Sequence, residues 1–597
     1  MHDFRIDVSK PANRELVVSA RLTRDPTQDP AGRMEVFLPT WTPGSYLLRE
    51  YSRQLSRVRA VDPQTGAELT IRKTSKNRFE IACGAVATVQ LDYRVYAHEL
   101  SVRTADVDDS HAFWNHACVL LWPVDDPDRP CTIQVTHPAE WSAACSLEPR
   151  TVHTEVADAA AFELRAANLD EVIDTPVLLG RLTSLEFEVD GVPHSIVLDG
   201  LGAVRPPDSL VDDLTRIVQA ARNVFGGELP YRRYTFLALF AGEGHGGLEH
   251  RDSSVLLMSR TSLGSKRGYR EFLGLAAHEL FHAWNVKRLR PREFWTYDYE
   301  QENYTSLLWL MEGWTAYYDD LLVARAGLMS AEHYLAAMAK NVQGLLGSPG
   351  RRALSLAESS FDAWIRLYRP DENTRNSSQN YYGNGAVAAM CLDLTIRHAT
   401  DGALSLDDVL RGLWRDTWQQ GRGYTLDDVT DAVRQVAGEA AVAAMLAMVQ
   451  GELEPDLDGI LAHVGLGVVW ADAGSPFLGV AFQQGTTVLA SVNADGPAFA
   501  AGLAPGDELI AIEGVRVTAG NWQTVFSTLA HPDRPLQLLL ARRGLVNTST
   551  VTPSAGRGTP RLRVLEGATS EAHAARAAWL GSSKSTNEQD DDDSAES

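Results

Sequence analysis

The chain is poor in cysteine, with five in 597 residues, at Cys83, Cys118, Cys131, Cys145 and Cys391. The number is odd and no C-x-x-C spacing occurs. A disulfide scaffold and a cysteine metal site are therefore not indicated, and a reducing compartment fits. Long hydrophobic runs are also missing: no apolar stretch approaches the ~18–20 residues of a membrane span. The first residues, MHDFRIDVSKPANRELVVSARL, lack a basic region followed by an apolar one, the pattern of a secretion signal. The expectation is a cytoplasmic protein, a removed precursor segment aside. Positive charge is in deficit, with 55 Lys and Arg against 78 Asp and Glu, a formal net charge of −23. That argues against nucleic-acid binding through a broad basic surface.

What is present divides into segments. The length suggests about three to five domains. Residues 1–180 are dense in β-branched and aromatic residues separated by turn residues, as in MEVFLPTW (34–41) and CTIQVTHP (131–138). They predict an antiparallel β-sandwich. Within them TWTPGSYLLREYSR (40–53) is a Pro-Gly turn flanked by aromatics, which suits a packed turn or a loop reaching a site. From 181 the pattern changes. A hairpin is expected around Asp190-Gly191. A helix is expected over 209–226, with its stripe at Leu210, Leu214, Ile217, Val218, Ala221 and Val224. Buried strands follow at 234–242 and 253–259. A small β-rich module occupies 463–555, and 556–597 reads as a low-complexity, largely disordered acidic tail ending in GSSKSTNEQDDDDSAES.

The chemistry concentrates in EFLGLAAHELFHAW (271–284), which holds His278-Glu279-Leu280-Phe281-His282 in a run of good helix formers. Positions four apart on a helix lie nearly above one another. His278 and His282 can thus aim at one point, which suits a tetrahedral cation taking imidazole ligands. Glu279 projects beside that point, where it can serve as a base toward water. A catalytic zinc commonly takes a third protein ligand. TSLLWLMEGWTAYYDDLL (305–322) is apolar on most faces yet carries Glu312, a carboxylate that needs a compensating cation if buried. Asp319 and Asp320 are candidates for orienting a ligand histidine or for the surface. Trp284, Trp309 and Trp314 stand near these residues in sequence, as core or pocket wall.

HELFHAWNVKRLRP (278–291) followed by MEGWTAYYDD (311–320) resembles the glycyl aminopeptidase family, gluzincins related to aminopeptidase N with a thermolysin-like catalytic core. WTPGSY (41–46) resembles that family's N-terminal β-domain, and the module at 463–555 resembles its PDZ domain. The resemblance implies a multidomain α+β protein: a β-domain (1–180), a thermolysin-like zinc peptidase domain with a helical lobe (181–455) and a PDZ domain (463–555). It implies one zinc ion per chain, on His278, His282 and Glu312. GGLEH (246–250) resembles the exopeptidase motif of aminopeptidase N. Glu249 would then hold the substrate's α-ammonium beside Gly246 and Gly247, whose missing side chains admit a peptide backbone. His250 stands where the wider motif has asparagine. NYYGNGAV (380–387) resembles the oxyanion-binding tyrosine element, with Tyr382 in the tyrosine position and Tyr381 as the alternative. Leu478, Gly479 and Val480 fall at the PDZ loop that receives a peptide carboxylate.

The expected activity is hydrolysis of N-terminal glycine, alanine and other small residues from peptides, with Glu279 as general base. The expected partners are peptides with a free N-terminus and a peptide or protein C-terminus at the PDZ domain. The rival readings are a metallo-endopeptidase using the same zinc and a peptide-binding scaffold with vestigial catalysis.

Overall fold

The computed structural model describes residues 1–24 and 31–581. They form two compact units. The first comprises Met1–Thr305, Phe361–Arg369 and Leu413–Leu426; the second comprises Ser306–Ser360, Pro370–Gly412 and the chain from Asp427 onward. The segment expected as one catalytic domain, 181–455, is thus divided between the units.

In the first unit, the N-terminal residues build an eight-stranded sheet and two four-stranded sheets. Alternation along Glu15–Thr23 turns Leu16, Val18, Ala20 and Leu22 inward, where they meet Phe4, Ile6, Leu91 and Ile133. Burying each large aliphatic side chain there contributes about 1.5–3 kcal/mol. One pairing departs from the expected antiparallel pattern. His2–Asp7 lies parallel to Cys131–Pro138, in register His2↔Cys131. A parallel pair needs a long connection, and the intervening strands supply it.

The same unit continues into a mixed five-stranded sheet. Its strands are β1 (Thr183–Val189), β2 (Val192–Asp199), β3 (Tyr234–Ala241), β4 (His245–Glu249) and β5 (Ser253–Ser259), in spatial order β1-β2-β3-β5-β4. The β1–β2 hairpin turns at Asp190 and Gly191, both with positive φ, as expected for a two-residue turn. Helix α1 (Leu210–Val224) buries the expected stripe, from Leu210 to Val224. Val102, Phe113 and Leu178 of the β-domain pack with Val197, Leu237, Leu248 and Val255, which fixes β4 to that domain.

Helix α2 (Lys266–Phe281) starts at Ser265, whose hydroxyl accepts from the Gly268 N–H at 3.0 Å. It ends in a tight turn containing Val286 at φ +120°, a rare conformation for a β-branched residue that costs on the order of 1–3 kcal/mol.

In the second unit, the apolar segment around Glu312 is two helices, α3 (Leu308–Met311) and α4 (Gly313–Arg325), joined at Glu312. Helix α5 (Gly383–Ala399) is buried over most of its surface. Gly313 and Gly385 let α4 and α5 touch backbone to backbone; a Cβ on Gly313 would stand 2.7 Å from the Gly385 Cα and 2.8 Å from the Tyr381 carbonyl oxygen. The stretch Leu426–Gln450 has the length and composition to cross a membrane, but Gly438, at φ +79°, breaks it into two shorter helices.

The C-terminal part of this unit corrects the expected boundary at 555. Thr559–Val564 pairs along its whole length with Leu466–Ala471, placing Pro560 and Leu562 inward. Ser570–Leu580 is a helix capped by Thr569. Its Trp579 is fully buried, and the indole N–H donates to the Tyr317 hydroxyl at 2.7 Å. One tryptophan and a capping threonine anchor a segment whose low-complexity composition suggested disorder. The acidic run beyond Gly581 lies outside the described residues.

Candidate active site

The first unit assembles most of the expected site. His278 and His282 lie on the last turn of α2, where the His282 N–H still bonds the His278 carbonyl at 3.3 Å. Their rings are nearly perpendicular, at 84° with centroids 4.7 Å apart, and the two Nε2 atoms stand 3.1 Å from each other. Two nitrogens aimed at one point make the arrangement a cation wants. The other nitrogen of His282, Nδ1, lies 2.9 Å from the Asn285 carbonyl oxygen, which fixes the tautomer with its proton on Nδ1 and leaves Nε2 a lone pair. That orienting group is a backbone carbonyl supplied by the strained turn after α2, and sequence reading missed it.

Glu279 is buried, and its helix turn is tied to β3 by the Tyr234 hydroxyl, which donates to the Glu279 carbonyl oxygen at 3.3 Å. Its carboxylate lies against Gly247 of β4, where a Cβ would stand 2.6 Å from the Glu279 Cγ and overlap the carboxylate itself. A side chain at 247 would therefore displace the Glu279 carboxylate. Glu249, two residues on and facing the same way, is 3% exposed. Ligand atoms of Glu249, Glu279 and His282 lie within 4.8 Å of one another. Among the described residues, Glu249 Oε1 has no hydrogen-bond partner. The loop 41–46 reaches this group. Gly44, at φ +89°, packs on the Glu249 carboxylate so closely that a Cβ would lie 2.7 Å from its Cδ. Trp41 and Tyr46 hold the loop as buried aromatics, and the Trp41 indole donates to the Asp298 carbonyl at 2.8 Å.

Behind Glu249 lies a charged cluster that the sequence did not reveal. The Lys287 ammonium sits 2.6 Å from Asp174 Oδ1, and His250 Nδ1 stands 3.4 Å from the same oxygen. Burial works against the Lys287 charge, but Asp174 and, farther off, Tyr297 and Glu249 outweigh it and raise its pKa above the ordinary lysine value. Burial would likewise raise Asp174, yet Lys287 and His250 hold it well below the usual carboxylate range. His250, in the asparagine position of the wider motif, thus faces Asp174. A cavity of about 400 Å³ opens here, lined among others by Pro43, Asp174, Lys287, Arg290 and Tyr297.

The second unit holds the remaining expected residues. Glu312 is 2% exposed. Tyr382 caps the start of α5 and stacks on the buried Tyr381, with ring centroids 5.0 Å apart. Asp319 and Asp320 are both half-buried. Trp309 and Trp314 are buried against each other, while in the first unit Trp284 stacks on Phe225 at 5.3 Å, so all three are core. In the C-terminal module Gly479 has φ +81°, and the carbonyls of Leu478 and Gly479 accept from the N–H groups of Ala498 and Asn493. Val480 begins the short strand Val480–Phe482.

Comparison with known proteins identifies the family. Residues 271–388 match the model for M61 glycyl aminopeptidase, and residues 3–181 match that for the peptidase M61 N-terminal domain. A crystal structure of an aminopeptidase N family protein from Idiomarina loihiensis superposes with a TM-score of 0.88 at 30% identity, covering 97% of this chain and 100% of that one. An M1 zinc metallopeptidase from Deinococcus radiodurans gives a TM-score of 0.49 at 18% identity, over 76% of this chain and 94% of its own. A 69-residue stretch is 42% identical to the zinc metalloprotease RasP of Geobacillus kaustophilus, spanning 11% of this chain and 16% of that protein. Given the full-length match and both family segments, the chain belongs to the M61 glycyl aminopeptidase family, zinc metallo-aminopeptidases related to aminopeptidase N.

Proposed function

We propose that this protein is a zinc-dependent aminopeptidase that removes glycine, alanine and other small residues from peptides with a free N-terminus, on a thermolysin-like core. The observation that carries the reading is Glu249. A buried carboxylate with an unpartnered oxygen is costly, by about 1–3 kcal/mol or more, until a donor arrives. Its position beside Glu279 and His282 suits a substrate α-ammonium, which sets the scissile bond one residue from the N-terminus. An endopeptidase has no use for such an acceptor.

The convergent His278 and His282 nitrogens, with the His282 proton fixed on Nδ1, fit zinc. One zinc ion per chain, held by these two and Glu312, would supply a Lewis acid and lower the pKa of water. Glu279 takes the proton from the attacking water and returns it to the leaving amine. Tyr382, with Tyr381 as the alternative, donates its hydroxyl to the oxyanion as charge develops. Gly246 and Gly247 let the substrate backbone approach β4.

The C-terminal module is, on this reading, a PDZ domain that captures a peptide or protein C-terminus. Leu478, Gly479 and Val480 would form its carboxylate loop, and the strand Val480–Phe482 and helix Trp522–Leu529 its groove. The five thiols are buried and unbridged, which suits a reducing, cytoplasmic setting. The deciding experiment compares glycyl-alanyl amide with its N-acetylated form. The aminopeptidase cleaves only the free amine, and equal cleavage of both would establish the endopeptidase instead.

A further inference from the structure

Among the described residues, β4 is the last strand of its sheet and pairs only with β5, in register Glu249↔Ser254. Just beyond it, the His250 N–H donates to the Ser253 carbonyl at 2.9 Å. Alternation in an antiparallel pair then turns the backbone groups of Gly246 and Leu248 toward β5, and those of Gly247 and Glu249 outward. The outward Gly247 carbonyl is met by Arg103, whose Nη2 donates to it at a long 3.4 Å.

Arg103 is held for a purpose its own contacts do not use. Its N–H donates to the Ser101 hydroxyl at 3.1 Å, and its carbonyl accepts from the Tyr51 hydroxyl at 2.8 Å. The backbone is therefore pinned. The guanidinium, by contrast, pairs with no carboxylate among the described residues, and its buried Nε has no hydrogen-bond partner there. A planar, permanently charged fork left this unsatisfied suits a carboxylate.

Its placement gives the ligand a length. Along the backbone from Glu249 to Gly247, whose carbonyl Arg103 meets, the strand advances two residues, about 7 Å. That is the reach of an extended dipeptide from ammonium to carboxylate. We infer that Arg103 is a specificity-determining residue that takes the C-terminal carboxylate of a dipeptide whose ammonium rests on Glu249. Dipeptides beginning with a small residue are then the preferred substrates. The inference rests on the reading of Glu249 as the amine anchor.

The test uses the full, zinc-loaded chain with Gly-Ala, Gly-Ala amide and Gly-Ala-Ala. The wild type prefers Gly-Ala over its amide about ten- to a hundredfold in kcat/KM, the worth of a charge-assisted hydrogen bond. Arg103→Gln and Arg103→Ala bring that ratio close to one, mainly through KM, and Arg103→Lys restores part of it. The ratio is internal to each variant, so partial misfolding cancels. A wild-type ratio near one, a preference for Gly-Ala-Ala, or a parallel loss of both substrates in the variants overturns the inference. A wild type active on Gly-Ala and its amide alike leaves the Glu249 reading intact, whereas one that cleaves neither overturns both.

Discussion

Gly247 and Glu279 meet across the gap between the outer sheet strand and helix α2, where a Cβ on the glycine would overlap the carboxylate. There is no room for a side chain at 247, and the contact fixes where the Glu279 carboxylate can be. Gly247→Ala is therefore expected to displace Glu279, the proposed base, without removing either histidine. Turnover should fall by about 100-fold or more, within the range attributed to a positioned general base. Bound zinc, measured by elemental analysis, should stay at the wild-type level.

Glu279→Gln keeps the shape of the side chain and removes its ability to take a proton. Turnover should drop by about 100- to 10,000-fold with zinc retained. Chelation of the wild type should abolish turnover, and added zinc should restore it. Zinc lost together with Glu279 would make that residue a ligand rather than the base.

Gly44 closes over the Glu249 carboxylate in a left-handed conformation. Gly44→Ala should cost about 1–2 kcal/mol of stability from backbone strain alone. It should also push Glu249 aside and raise KM for free-amine substrates. Glu249→Ala should raise the same KM by about tenfold or more, the loss of one charge-assisted contact. Thermal unfolding and steady-state kinetics separate the two effects.

The Asp174–Lys287 pair makes a prediction about acid. The folded pKa of Asp174 lies below its ordinary value of 3.8, so its contribution is full above that pH and is lost as pH falls through the lowered value. Asp174→Asn leaves the buried Lys287 charge uncompensated and should cost about 3–5 kcal/mol near neutrality. The gap in Tm between wild type and variant should hold from pH 7 down to about pH 4 and narrow only below it. Adding Lys287→Met to Asp174→Asn should recover much of the loss.

The legible parts of the site were those that depend on local geometry. Helical spacing announced His278 and His282, and an apolar segment interrupted by one carboxylate announced Glu312, which lies buried at the junction of α3 and α4. The Asp190-Gly191 turn and the α1 stripe followed from turn chemistry and periodicity. The ordered part of the tail was not legible, because composition alone does not reveal that a single Trp579 finds a buried site and a partner in Tyr317. The parallel pairing of the first strand was equally invisible, since strand alternation reads the same in either direction.

The sequence by itself determined the pair of imidazoles, the Glu279 carboxylate beside them, the buried carboxylate of Glu312 and the family to which the chain belongs. A 3.6-residue period and the cost of burying charge are properties of short segments. Only the tertiary structure decided that Gly44 covers Glu249, that Gly247 bears on Glu279, that Asn285 orients His282 and that Arg103 stands at the sheet edge. Most of these contacts join residues distant in the chain, and no local pattern encodes a close approach between backbones that only packing brings together.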